Sequence, residues 1–365
     1  MTYDVLIVGT GPAGSTAASL LAQAGHRVAL VGSQPFPRTP AGIGWVGAQA
    51  APLLESIGAC RETLDRPIAD ITFLSADLAK SATPATRETP GYFIDRAAFE
   101  NTLIDSATSA GVQAIHEATV LDVTLREKNV EARFRNHDPV QGRILVLADG
   151  RSSALAGRIG LTAPSGRFWA AYLCVPTGAP PARDKGKISI ILGLTRDGGY
   201  GMTLSAAGQL TVAVSVPGTR ADAVSRLTRL CQTLAERERI PADIDPQPER
   251  MVIVPPPLNA LDMETHVGKH ALLIGEAGGF VAALSNEGVV PAMWSASIAA
   301  KVVTTALKSR QSQDKLMTFD TRWRLEMAEY LRSPNTDMQF LVPLVFSNQP
   351  MADRMAAAFF RGDNI

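Results

Sequence analysis

Tyr3-Asp-Val-Leu-Ile-Val-Gly9-Thr-Gly11-Pro-Ala-Gly14, followed by the Ala/Leu-rich run from Ser15 to Ala24, decides the fold. Residues 3–8 are a short apolar run of strand type. Residues 15–24 read as a helix, and Gly25 stands where a left-handed residue ends one. The glycine spacing between them has a physical reading. Gly9 permits the sharp turn after the strand, Gly11 lets the backbone approach a pyrophosphate, and Gly14 lets the helix pack against the strand. Pro12 and Ala13 belong to the same phosphate-facing turn, and the helix N-terminus offers free N–H groups to the phosphate charge. A lone Gly-x-Gly-x-x-Gly is weak, but one set between a strand and a helix points to a dinucleotide. Residues 27–31 form the second strand. An acid should end that strand and accept the ribose hydroxyls. Here Val31 is followed by Gly32 and Ser33, and Ser33 cannot replace a carboxylate accepting two hydrogen bonds.

Working outward, residues 33–48 are rich in Gly and Pro and read as a loop. A helix is expected over 50–57, ended by Gly58, and another over 99–110, ended by Gly111. Around 67–94 and 167–217, β-type residues alternate with turn signals, as in strands of a separate sheet. Residues 120–134 read as a hairpin, 143–148 and 271–274 as strands, and the chain from 289 onward as mostly helical. The expected class is α/β. A Rossmann-like nucleotide domain is assembled from 1–66, 95–165 and 265–310. A β-sheet substrate domain of 67–94 and 166–264 is inserted in it, and a helical segment of 311–365 follows.

The chain has 365 residues, enough for a large core, and carries 35 basic and 35 acidic side chains. A zero formal charge argues against nucleic acid as a partner, since such binders need a basic face. Cys60, Cys174 and Cys231 are far apart and odd in number, so three separate buried thiols are expected rather than disulfides or zinc. His266 and His270 precede a strand and do not form a metal-binding helix motif, so no metal is expected. No signal peptide is read at the start and no apolar run long enough to span a bilayer, which gives cytoplasmic residence as the default.

Further motifs follow in order: Phe36-Pro-Arg38, Ile94-Asp-Arg96, Ala148-Asp149-Gly150-Arg-Ser-Ser153, Gly275-Glu276-Ala277-Gly278 and Ser285-Asn286-Glu287-Gly288. With the glycine turn they resemble the FAD-dependent family of p-hydroxybenzoate hydroxylases and geranylgeranyl reductases, over most of the chain. The resemblance implies FAD as cofactor, with Arg38 and Arg96 on the flavin nucleotide and the backbone of Val120 near the adenine. It implies that Asp149 and Gly150 shape the floor beneath the nucleotide. Gly275 and Glu276 stand at the family's Gly-Asp, near the ribityl and pyrophosphate, and Glu276 is one methylene longer than the family's aspartate. Asn286, Gly288 and Val289 would start a helix aimed at the isoalloxazine, where a helix N-terminus favours a negative ring. The departures at Gly32 and Glu276 lead us to expect loosely bound FAD.

No separate NAD(P)H domain is read, so NAD(P)H or another external reductant is expected to visit transiently. Prenyl reductases carry Tyr-x-Trp-x-Phe-Pro-Lys where this chain keeps only Tyr200, and the halogenase Trp-x-Trp-x-Ile-Pro is missing. Gly44-Trp45, the segment from Asn286 to Trp294 and the long tail resemble the LodB/GoxB type of flavoprotein, which acts in cysteine tryptophylquinone biogenesis. That resemblance implies a monooxygenase that hydroxylates a tryptophan in a quinoprotein oxidase precursor, or another aromatic substrate. Trp45, Tyr200, Phe280 and Trp294 are the candidate pocket walls, and Glu287 is the carboxylate best placed for proton handling. An isoprenoid reductase and a flavin-poor binding protein for a precursor are the alternatives. The apolar segment 340–346 and the amphipathic segment 351–360 are expected to pack against the core, ahead of a partner site or a lipid surface.

Overall fold

The computed structural model describes residues 2–37, 44–64, 66–85, 89–151, 153–162, 165–176, 186–206 and 208–365. The chain begins with β1 (Thr2–Val8), α1 (Pro12–Gln23) and β2 (Val28–Val31). Next come β3 (Trp45–Gly47), α2 (Ala50–Ser56), β4 (Arg66–Pro67), β5 (Asp70–Ser75), β6 (Ser81–Ala82) and β7 (Gly91–Phe93). Then follow α3 (Arg96–Ser109), β8 (Gln113–Ile115), β9 (Val120–Leu125), β10 (Val130–Phe134), β11 (Val140–Leu147) and α4 (Ala154–Arg158). A β-rich stretch holds β12 (Phe168–Pro176), β13 (Lys187–Leu192), β14 (Tyr200–Ala206), β15 (Gln209–Pro217), α5 (Arg220–Glu236) and β16 (Val252–Val254). The chain ends with β17 (Val267–Gly268), β18 (Ala271–Leu273), α6 (Val289–Leu307), α7 (Ser312–Leu331), α8 (Met338–Val345) and α9 (Gln349–Arg361).

The first sheet has the order β17-β18-β11-β1-β2-β8, with the antiparallel hairpin β9–β10 attached through β11. Strands β18, β11, β1, β2 and β8 are parallel. Val5 to Val8 are buried, as suits a strand covered on both faces by helices. Helix α1 starts at Pro12, three residues before its expected start, because proline suits a first helical position whose N–H would have no partner. Likewise α3 starts at Arg96 rather than at residue 99, since Asp95 caps it by accepting from the Ala98 amide.

The second sheet runs β16-β12-β15-β14-β13-β5-β6. One face packs on α5 through Leu227, Leu230, Cys231 and Leu234. The other packs on α8 and α9 through Leu341, Val345, Met355, Phe359 and Phe360. The mixed α/β class, the parallel sheet and the helical C-terminus agree with the sequence reading. Three details differ from it. Residues 45–47, read as loop, form β3, which pairs with β7. Cys60 and Cys174 are exposed and only Cys231 is buried. Helix α6 is, by length and apolarity, long enough to cross a membrane, against the expectation of no such run, but 72% of its apolar window is buried inside the protein. It packs between α1 and α7, which is why its sequence is apolar almost all round.

Candidate active site

A cleft of about 780 Å3 opens at the carboxyl ends of β1 and β2 and reaches the face of the second sheet. That is where open α/β sheets bind ligands, and the volume suits one. At its phosphate end, Gly9 has a φ of +114°, and a Cβ there would lie 2.0 Å from the Ala148 carbonyl oxygen. A Cβ on Gly14 would lie 1.8 Å from the Gly9 carbonyl oxygen. Both positions therefore exclude every side chain. Gly11 caps α1 without any side-chain hydrogen bond, which leaves the first turn open to an anion, and Gly11, Pro12 and Ala13 line the cleft. Gly14 lies behind that lining, between helix and strand.

The absence of an acid after β2 has a structural counterpart. A Cβ on Gly32 would lie 2.6 Å from Cγ2 of Thr10, so the β-branched side chain of Thr10 fills the space that an acid would enter. Ser33, Gln34 and Val120 line this end. Asp149 and Gly150 line the adjoining wall. Ser153 donates to Asp149 Oδ2 at 2.8 Å, while Oδ1 is buried with no partner among the described residues. Burial pushes the Asp149 carboxyl above its usual range, with Ser153 opposing.

Arg96, at the start of α3, enters the cleft and donates to Glu100. Its Nε is buried without a partner among the described residues. Burial lowers its pKa, and the charges of Glu276 and Glu287 oppose that shift. Glu276 is engaged by a residue the sequence reading passed over. Arg151 forks onto it, with Nη2 2.8 Å from Oε1 and Nε 3.3 Å from Oε2, and donates a third bond to the Pro255 carbonyl. Gly275 stands outside the lining with a φ of +60°. A Cβ there would lie 2.7 Å from that of Ala13, so this glycine lets the turn abut α1.

Asn286, Glu287, Gly288 and Val289 line the cleft where α6 begins. The α6 N-terminus, expected to aim free amides at the isoalloxazine, does not present its first amides to the cleft. Glu287 Oε1 accepts from Val289 N at 2.7 Å and from Val290 N at 2.9 Å. Tyr330 of α7 donates to Glu287 Oε2 at 3.2 Å. Burial pushes the Glu287 carboxyl up to about 7, against the stabilising pull of those donors and of Arg96.

The far end of the cleft is walled by Trp45, Tyr172, Tyr200 and Met202. Tyr200 donates to the Ser285 carbonyl at 2.5 Å, tying the second sheet to the segment before α6. Phe359 stacks on Trp45 at 6.0 Å and meets Tyr200 edge-on at 5.3 Å, and Phe360 meets Trp45 edge-on at 5.2 Å. Two expected walls lie elsewhere. Phe280 is fully buried with His266, Phe319 and Trp323, and Trp294 packs on Tyr330, so neither lines the cleft. Both follow the helical packing of α6 and α7 rather than the cleft. Arg38 lies outside the described residues. The partnerless Asp149 and Arg96 atoms, the open α1 turn and the glycines that no side chain can replace fit a dinucleotide with its phosphates at Gly11.

The sequence pattern of the FAD binding domain family matches residues 2–251. The chain belongs to that family. Its cofactor is FAD, and its class is that of the FAD-dependent oxidoreductases. A digeranylgeranylglycerophospholipid reductase of Methanocaldococcus jannaschii is 24% identical over 91% of this chain and 84% of its own length. Conditioned medium factor receptor 1 of Dictyostelium discoideum is 24% identical over 93% of this chain and 71% of its own. Among solved structures, a geranylgeranyl bacteriochlorophyll reductase-like protein of Thermoplasma acidophilum matches with a TM-score of 0.74 at 20% identity, covering 99% of this chain and 96% of that one. A flavin-dependent brominase matches with a TM-score of 0.74 at 16% identity, covering 99% and 94%. These likenesses carry the fold and leave the substrate open.

Proposed function

We propose that this flavoprotein is an FAD-dependent monooxygenase that hydroxylates an aromatic side chain, with a tryptophan in a quinoprotein precursor as its substrate. The observation that carries the reading is the aromatic wall of Trp45, Tyr172 and Tyr200, backed by Phe359 and Phe360 of α9. The cleft of about 780 Å3 is within the range of ligand sites, and these rings offer an aromatic substrate flat apolar faces to pack on. Bound FAD supplies the electron and oxygen chemistry, fed by NAD(P)H or another external reductant. The protein binds and orients. Gly9, Gly11 and the α1 N-terminus hold the phosphates, Arg96 and Asp149 meet the nucleotide with their free atoms, and Trp45 with α9 excludes water from the reacting end. Gly32 and the pairing of Glu276 with Arg151 support loose retention of the cofactor.

A second reading, reduction of isoprenoid double bonds, is supported by the reductase named above that aligns over 91% of this chain. One experiment separates the two. The FAD-loaded protein is incubated with NAD(P)H and oxygen and offered either a tryptophan-containing precursor or a prenyl lipid. Oxygen uptake with one oxygen atom added to the precursor supports the monooxygenase. Hydrogen added to the lipid without oxygen uptake overturns it in favour of the reductase. Precursor binding without FAD or turnover leaves an escort protein as the answer.

A further inference from the structure

The α6 N-terminus lines the cleft at the place the family resemblance gives to the flavin ring, and Glu287 has already taken its first two amides. A helix start normally offers partial positive charge to an anion. Here a carboxyl group 5% exposed lies against those amides, with its second oxygen held by Tyr330. We propose that Glu287 is a positioning residue that sets the charge facing the flavin, exchanging a proton with solvent as the ring is reduced. The inference rests on the FAD reading above.

Two electrons and one proton convert oxidised FAD to its reduced, singly negative form. With that charge on the ring, an ionised Glu287 beside it faces like-charge repulsion and takes up a second proton. The net reaction consumes two electrons and two protons, one of them ending on Glu287. Among the described residues, the groups that face it come from three directions. Tyr330 comes from α7, Arg96 with its partner Glu100 from α3, and Glu276 with Arg151 lies beyond Gly288. Arg96 and Tyr330 favour the ionised carboxylate before reduction. Burial opposes them and holds the group near the point where a neighbouring charge tips it.

The test is the midpoint potential of the bound FAD as a function of pH, measured by spectroelectrochemistry from about pH 7 to about pH 9, where free reduced flavin is already anionic. The wild type should take up two protons per two electrons in this range and Glu287→Gln only one. Tyr330→Phe keeps the carboxyl and removes a donor that favours ionisation, so it should move the onset of the second uptake to higher pH. It also serves if the glutamine variant fails to fold. Equal proton uptake in the wild type and Glu287→Gln, or an onset unmoved in Tyr330→Phe, overturns the proposal while leaving FAD binding intact. Failure of the wild type to bind FAD at any concentration overturns the cofactor reading and the proposal together.

Discussion

At position 32 the missing acid and the bulk of Thr10 are one feature, because Cγ2 of Thr10 fills the space a Cβ at 32 would enter. Restoring the acid alone, as the sequence suggests, therefore sets the new side chain against Thr10. Gly32→Glu should leave FAD affinity unchanged or weaker. Thr10→Ala with Gly32→Glu should tighten it roughly tenfold, the worth of a hydrogen bond to a charged acceptor. A flavin fluorescence titration decides this, and a single variant that tightens binding refutes the coupling. Gly11→Asp should weaken FAD on the order of a hundredfold or more, since it puts negative charge at the turn that would hold the phosphates. Unchanged affinity there would sink the phosphate site. Glu287 gives a third prediction. Its carboxyl moves from an ordinary 4.5 in the unfolded chain to about 7 when buried. A raised acid pKa contributes stability that is full below 4.5 and lost as pH rises through 7, on the order of 3 kcal/mol. Chemical denaturation without FAD should show that loss between about pH 4.5 and pH 7 in the wild type and a much flatter profile in Glu287→Gln. The glycine turn was readable because local sterics alone demand it. Arg151 and Tyr330 were not, since each meets its carboxylate partner from more than forty residues away in the chain.

Helices show a different pattern of legibility. Helix α5 follows the stretch read as strands and was passed over within the β-rich domain, yet it carries two signals. Thr219 accepts from the Asp222 amide while Asp222 reaches back to the Thr219 amide, a capping box visible as Thr-x-x-Asp. Buried Ala223, Leu227, Leu230 and Leu234 recur at helical spacing. The surrounding alternation of β-type residues in β12 to β15 masked both. Thr219→Ala should destabilise the protein by about 1 kcal/mol, read as a lower urea midpoint with an unchanged slope. No shift would mean that packing on β15 alone holds α5. Helix α9 was readable as amphipathic, but not which surface it covers. Its partners Trp45 and Tyr200 lie in strands far from it in sequence, and only the folded chain joins them. Phe359→Ala should cost about 3 kcal/mol or more by leaving a cavity against both rings.

Across the whole molecule, the cleft is lined from both sheets, with Gly11 and Asp149 on the first and Tyr200 and Met202 on the second. Two hydrogen bonds also join these parts beside the cleft, from Tyr200 to the Ser285 carbonyl and from Arg151 to the carbonyl of Pro255, just after β16. A ligand filling that space must therefore stabilise both halves together. A ligand that binds only the native state adds about 2.7 kcal/mol at a hundredfold excess over its Kd. Loose retention of FAD does not weaken this expectation, because the gain depends on concentration relative to Kd and a weak ligand need only be added in larger amount. Thermal unfolding followed separately by far-UV circular dichroism and by tryptophan fluorescence should give one shared transition that climbs steadily with added FAD. The fluorescence reports Trp45 beside the cleft and Trp169 on β12 as well as the tryptophans of α6 and α7. If FAD raises one transition and leaves a second in place, the nucleotide engages the parallel sheet alone. The second sheet would then lie outside the flavin site, and the aromatic wall would lose its claim to be the substrate end.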